Sequence, residues 1–250
     1  MRVSVCITTF NGEEFIQNQI DSILCQLSEN DELIVSDDGS TDQTCGIIAS
    51  YNDNRIKLFK HQAPGLYKQK PINYRITRNF ENALKHAGGN IIFLADQDDQ
   101  WEKNKVSEIL TIFREEQVNL VLHDAMVVDK EMKVQSDSYF QIIRSRPGII
   151  HNLVKNSYLG CCMVFDRKIL NQSLPFPEHL IAHDMWIGLI GEKYGKVRFL
   201  GKPLIRYRRH DLTATTSGKS SGNSILYKLE YRIQFLIQFL GRVYFNPKKH

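Results

Sequence analysis

The 250-residue chain contains no run of about 18 uncharged apolar residues, the length a membrane-spanning helix needs. Its opening apolar run, residues 3–7, is too short for a secretory h-region, so the expected location is the cytosol or a membrane surface that the chain does not cross. No Cys-x-x-Cys pair is present. Cys6, Cys25, Cys45, Cys161 and Cys162 sit mostly in apolar runs and predict buried free thiols rather than zinc or dithiol chemistry. Charge of one sign is barely in excess, 32 Lys+Arg against 28 Asp+Glu, which argues against a nucleic-acid partner. Gly-x-Gly-x-x-Gly after the first strand is missing, which removes the dinucleotide fingerprint. Gly218-Lys219-Ser220 has Thr213 where a phosphate loop needs its first glycine. His179 and His183 have zinc-helix spacing but Leu180 in place of the catalytic Glu.

What is present is an alternation of short apolar runs with helical periodicity. Residues 2–9 read as a strand, Asn11-Gly12 as a turn, and Phe15, Ile16, Ile20, Ile23, Leu24 and Leu27 as one face of a helix. The order repeats with a strand at 31–36, a loop at 37–40 and a helix at 41–51. A strand at 56–61, a helix at 80–87 ended by Gly88-Gly89, and a wholly apolar strand at 90–95 follow. Beyond Trp101 the pattern predicts a helix at 103–116, a strand at 119–128, a polar stretch to 146, a helix at 148–155, a strand at 161–165 and a helix at 179–194. The expected fold is α/β: a doubly wound, mostly parallel sheet flanked by helices, whose ligand site lies outside the carboxyl ends of its strands.

Two acidic clusters fall at such strand ends, Asp37-Asp38 and Asp96-Gln97-Asp98-Asp99. A carboxylate fixed at a strand end can address a ligand hydroxyl. Its neighbour on the same turn can hold a hard divalent cation through oxygen.

Thr8-Thr9-Phe10-Asn11, Ser36-Asp37-Asp38-Gly39-Ser40-Thr41-Asp42 and Asp96-Gln97-Asp98-Asp99-x-Trp101, in this order, resemble glycosyltransferase family 2, inverting enzymes with the GT-A nucleotide-sugar fold. His183-Asp184-Met185-Trp186 is similar to the family's acidic Asp-x-Trp segment, and Tyr207-Arg208-Arg209-His210 to a Tyr-Arg-x-His of its bacterial polysaccharide branch. The set looks most like the rhamnosyltransferase-type members. The resemblance implies a nucleoside-diphosphate sugar donor, with dTDP-rhamnose first and UDP-hexoses or UDP-galactofuranose as alternatives, and a polysaccharide or lipid-linked glycan acceptor. A sugar-1-phosphate nucleotidyltransferase is the more distant reading.

By the same resemblance Thr8, Thr9, Phe10, Asn11, Asp38, Gly39, Asn79, Asp96 and Arg208 would bind the donor. Asp98 and His210 would hold Mg²⁺ or Mn²⁺, and His183, Trp186 and Trp101 would meet the acceptor. Asp184 would be the general base. Where many family members carry Arg-Asn-x-Gly, this chain has Arg78-Asn79-Phe80-Glu81. The expected organisation is a donor half at 1–105, an acceptor half of the same domain at 106–212 and a linker at 213–223, followed by an amphipathic basic helix at 224–250.

That last segment holds five basic residues, Lys228, Arg232, Arg242, Lys248 and Lys249, against Glu230 alone, which equals the whole chain's surplus. Leu226, Leu229, Ile233, Leu236, Ile237 and Leu240 recur at helical spacing. The helix is expected to dock on the inner face of the cytoplasmic membrane, or on a twin subunit in a homodimer.

Overall fold

The computed structural model describes residues 1–61, 67–209 and 225–245. Strands β1 (Val3–Thr9), β2 (Glu32–Asp37) and β4 (Ile91–Asp96) are unbroken apolar runs because helices cover both faces of the sheet they form. With β3 (Ile56–Lys60) they make a parallel block in the order β3-β2-β1-β4, and helices α1 (Ile16–Leu24), α2 (Thr44–Ser50) and α3 (Ile72–His86) supply the crossovers.

The sheet continues past β4 without a break, but its directions mix. Next to β4 lies antiparallel β8 (Met163–Asp166), then β6 (Leu120–Val128), β9 (Val197–Arg208) and the two-residue β5 (Gln100–Trp101), while β7 (Val134–Ser136) pairs with β6 alone. Only β6 and β9 are parallel in this half, so "mostly parallel" describes the first half of the chain better than the second. Helices α4 (Lys105–Glu116), α5 (Tyr139–Ile143), α6 (Ile149–Val154), α7 (Arg167–Ser173) and α8 (His183–Tyr194) complete this side.

Strand β9 is absent from the sequence expectation. Gly201 and Pro203 break its alternation, and the register to β6 shifts at that point. Helix α3 begins eight residues before the expected Phe80, directly after Pro71. Helix α7 is capped by Asp166, whose side chain accepts from Ile169 N at 3.0 Å.

A charged knot ties the amino-terminal edges of the strands. Glu32, almost fully buried, accepts from Ser4 Oγ, Gly88 N, Arg2 and Lys57. Burial alone would raise its pKa, yet these donors outweigh burial and hold it at about 2. The cysteines are all free thiols. Cys6, Cys161 and Cys162 are buried as expected, whereas Cys25 is exposed.

The carboxy-terminal helix α9 (Ile225–Leu240) runs into a π-helical turn, Gly241–Phe245. It docks on α8 through Phe235, Phe239 and Val243. The aliphatic stripe expected to be its buried face is the one left outside: Ile233, Leu236, Ile237 and Leu240 are exposed. The expected linker at 213–223 lies outside the described residues. Among those described, no helix is long and apolar enough to cross a membrane.

Candidate active site

Register brings the strand-end residues together. Thr8 lies between Ser36 on β2 and Asp96 on β4, and Thr9 beside Asp37. The three loops that leave these strands are sewn into one rim. Phe10 N donates to Gln97 Oε1 at 2.9 Å while Gln97 Nε2 donates back to Phe10 O at 3.1 Å. Asn11 N donates to Ser40 Oγ, and Asn11 Oδ1 accepts from Thr41 N, both at 2.9 Å. Gly12 makes the clamp possible, since a β-carbon there would sit 2.4 Å from Gln97 Oε1. Gly39 has φ +83°, a left-handed turn suited to glycine that swings the second loop under the first.

The two aspartates of that loop divide the work. Asp37 is buried and accepts from Gly39 N, Ser40 N, Ser40 Oγ and Thr9 Oγ1, which shapes the turn. Asp38 faces the cleft side, where Oδ2 accepts from Arg75 Nη2 at 2.7 Å and Nε at 3.0 Å, and Oδ1 meets His61 Nδ1 at 3.1 Å. The Arg75 guanidinium lies 4.7 Å from the centroid of the exposed Phe10 ring. Tyr67 holds the start of α3 in place by donating to Arg75 O at 2.8 Å.

Arg75, His61 and Tyr67 escaped the sequence reading because residues 72–79 look too polar for a helix. Ile76, Phe80, Ala83 and Leu84 carried the periodic signal that could have extended it.

Several expected donor contacts are spent inside the protein. Thr9 is buried and donates to Asp37. Asn79 is buried and bridges the ends of two strands, accepting from Ser36 Oγ and donating to Ser36 O and Thr9 O. Arg208 is also buried. Its Nε donates to Asp98 O at 2.8 Å, its Nη1 to Lys130 O at 2.5 Å, and its backbone N to Asp99 Oδ1 at 3.0 Å, so it grips the third loop from behind. Trp101 packs against Phe93 beneath the buried Lys105 ammonium, which is 4.0 Å from its ring centroid, and is core rather than acceptor wall.

At the third loop Asp96 and Asp98 are half-buried, and Asp99 is fully buried with Oδ2 unpartnered. One ligand atom each from Asp96, Asp99 and Cys161 lies within 4.8 Å of the others. Burial first, then the charges of Asp98 and Asp184, push Asp96 up to about 7, against the opposing pull of Cys161 and Lys105. Asp99 is raised for the same reasons. Lys105, lowered by burial to about 8, is the internal counter-charge and donates to Cys161 O at 3.0 Å. This pocket holds more carboxylate than positive charge, a set that fits a hard divalent cation. Burial and the neighbouring carboxylates keep the Cys161 thiol protonated, which leaves oxygen ligands to do the holding. His210, the other expected ligand, lies outside the described residues.

Asp184 stands in the first turn of α8, half-buried on the cleft side, where a carboxylate complements the helix dipole. Burial pushes it up to about 6, against hydrogen bonds from Met185 N at 2.7 Å and Asn156 Nδ2 at 3.4 Å. Its contribution to the Asp96 shift marks the two as parts of one cleft. His183 stacks on Phe80 with centroids 4.1 Å apart, Nε2 unpartnered, and burial lowers it to about 3, so it is a neutral imidazole at working pH. Gly160 gives that ring room, because a β-carbon there would be 2.9 Å from His183 Nε2. Trp186 does not reach an acceptor. Two residues along a helix turn about 200°, so Asp184 on the cleft places Trp186 in the core, where Nε1 donates to Ser173 O at 3.0 Å.

The sequence model of Glycosyl transferase family 2 matches residues 4–174, about two thirds of the chain. This chain belongs to glycosyl transferase family 2. It is 29% identical over 196 residues to the Escherichia coli UDP-Glc:alpha-D-GlcNAc-diphosphoundecaprenol beta-1,3-glucosyltransferase WfgD, covering 75% of this chain and 69% of that one. In three dimensions it resembles S. aureus TarS, solved with UDP-GlcNAc, at TM-score 0.65 and 20% identity over 98% of this chain and 73% of that chain. The mannosyltransferase PcManGT of Pyrobaculum calidifontis, solved with GDP-Man and Mn2+, matches at TM-score 0.55 and 20% identity, covering 100% of this chain and 66% of that one. The glycosyltransferase therefore has the GT-A architecture, with the mixed sheet described above.

Proposed function

We propose that this family 2 glycosyltransferase moves a hexose from a pyrimidine-nucleoside diphosphate to a hydroxyl of a lipid-linked or polysaccharide glycan, inverting the anomeric centre in one displacement. The observation that carries the reading is the meeting of the Asp96–Asp99 loop with Asp184 in one cleft. Residues 1–105 form the donor half. Residues 106–212 bring the acceptor side, with Asp184 and His183 at its lip. Phe10, Asp38 and Arg75 form a flat, charged slot for the base. The Asp38 carboxylate offers about four acceptor positions and the protein fills three, so one remains for a base or ribose donor.

Asp184 takes the proton from the acceptor hydroxyl as that oxygen attacks the anomeric carbon, and the nucleoside diphosphate departs with the electron pair of the broken bond. Asp96 and Asp98, with Asp99 behind them, would hold Mg²⁺ or Mn²⁺, which supplies neutralisation of the donor's diphosphate when bound. The setting is the inner face of the cytoplasmic membrane, in keeping with the diphosphoundecaprenol-linked acceptor of the E. coli relative.

Transfer is to be assayed with UDP-glucose and dTDP-rhamnose, each with Mn²⁺ and with chelator, on a lipid-diphosphate disaccharide precursor. Metal-dependent turnover of one of them is expected. UDP-glucose is the donor in the relative's name, and dTDP-rhamnose is the one implied by the His183-Asp184-Met185-Trp186 pattern. Absence of binding to both UDP and dTDP in calorimetry would overturn the assignment.

Arg75→Ala is expected to weaken donor binding by about tenfold, because it removes the guanidinium stacked on Phe10 and leaves Asp38 short of its main partner. Calorimetric titration with the nucleoside diphosphate measures it, and an unchanged dissociation constant would remove Arg75 from the site.

A further inference from the structure

Helix α9 carries two apolar stripes. Phe235 and Phe239, one turn apart, fasten it to Trp186 on α8. Ile233, Ile237 and Leu240, also at helical spacing, point the other way with Leu236, and Ile237 is 64% exposed. Helix α6 lies beside α9 and adds Ile150, 81% exposed, and Val154, 59% exposed. Scattered surface aliphatics are ordinary, but six on two adjoining helices form a patch that calls for a partner.

The charge around this patch indicates the partner's chemistry. Residues 138–165 contain Arg144, Arg146 and Lys155 and no acid at all. Residues 231–250 contain Arg232, Arg242, Lys248 and Lys249, again with no acid. Exposed Lys155 follows Val154 directly, and exposed Arg232 precedes Ile233. Aliphatic side chains bordered by cations, with anions kept off both segments, complement a surface that is apolar inside and negative at its rim.

We propose that the joint face of α6 and α9 docks on an anionic lipid bilayer and that this docking presents Asp184 to an acceptor carried in the same membrane. The acceptor clause rests on the proposed function, while the docking itself does not. The link is short and stiff. Two residues after Val154, at most about 7 Å along the chain, Asn156 donates to Asp184 Oδ2. Glu192 on α8 holds both ends of the α6 segment, accepting from Gly148 N at 2.8 Å and Tyr158 OH at 2.5 Å. The general base and the lipid-facing helix thus share one frame. An interfacial helix sinks only about 5–10 Å into the headgroup layer, so a hydroxyl just above that layer is within reach of the cleft.

Vesicle co-sedimentation of the full chain tests this, with phosphatidylcholine alone and with phosphatidylcholine containing about one third phosphatidylglycerol. The protein is expected to partition onto the anionic vesicles and to be released by high salt. The double variant Ile150→Glu/Ile237→Glu is expected to lose about tenfold or more in partitioning. Both positions are exposed, so folding is not at stake. Unchanged Trp186 fluorescence verifies that α9 stays docked, and unchanged calorimetric affinity for the nucleoside diphosphate verifies the donor site. Transfer to an acceptor embedded in vesicles should fall with partitioning, while transfer to a detergent-dispersed acceptor should not.

Equal sedimentation of wild type and variant would overturn the proposal, as would absence of binding to anionic vesicles. So would a concentration-dependent dimer that the double variant abolishes without any vesicle binding, since the patch would then be a self-interface. Vesicle binding with no nucleotide affinity would retain the docking surface and refute the function proposed above.

Discussion

Asp184→Asn is expected to reduce sugar transfer by about 10²- to 10⁴-fold, the contribution of a positioned general base, while donor affinity stays unchanged. Asparagine keeps the shape of the side chain and can still accept from Met185 N, so a folding defect does not complicate the result. The wild-type pH profile supplies a second readout. Burial places the Asp184 carboxyl at about 6, and a base works only when deprotonated. The kcat/KM limb assigned to this group should therefore fall about tenfold per pH unit below about 6 and flatten above it. Asn156→Ala removes a donor that stabilises the carboxylate, so this limb should move to higher pH. Retention of most activity in Asp184→Asn would sink the assignment.

The second large effect is on stability. Trp186→Ala is expected to destabilise the protein by about 3–5 kcal/mol, the range for emptying a buried aromatic site. Trp186 is fully buried and sits at a junction. Phe235 and Phe239 meet its ring edge-on with centroids 6.2 and 6.4 Å away, and Arg242 lies 5.4 Å from the ring centre. Its Nε1 fixes the end of α7 at Ser173 O, and Arg242 fixes the same segment through Gln172 O. The loss should appear in chemical denaturation, with α9 proteolysed first because its inward stripe has lost the ring it grips. Trp186→Phe keeps most of the volume and should recover a large part of the loss. Equal stability of Trp186→Ala and wild type would show that α9 does not depend on this contact.

How legible all this was in the sequence differs by element. Strands β1, β2 and β4 were readable because a strand covered on both faces must be apolar throughout, and few other structures produce such short, uninterrupted runs. The loops after them were readable because acids following such runs have few structural reasons to be there. Strand β9 was not readable. It is half-exposed, interrupted by Gly201 and Pro203, and held largely by pairing with β6, which is a long-range fact. Within the site, residue type alone could not separate side chains that face the cleft from those that hold it. Thr9, Asn79 and Arg208 carry the polar groups expected of ligand contacts, yet their partners are Asp37, Ser36 and the backbone of Asp98. Trp186 was misplaced by adjacency, since nearness to Asp184 in sequence says nothing about which side of the helix it takes. Helix α9 shows the limit of periodicity: its aromatic and aliphatic stripes are equally regular, and only the packing of Phe235 and Phe239 on Trp186 decides which one faces inward.

The reciprocal clamp between Gln97 and the Phe10 backbone, admitted by Gly12, bears on how the enzyme meets its donor. Three loops that would otherwise fluctuate separately are joined before any ligand arrives, each through contacts with its neighbour's main chain. Little conformational entropy is then left to be lost on nucleotide capture, and more of the interaction energy appears as affinity. The side of the cleft that bears Asp184 is tied to no such rim. Ordering on that side can wait for the acceptor, so a rigid donor site and a more adaptable partner site give an intrinsic sequence to substrate entry: nucleotide first, glycan second.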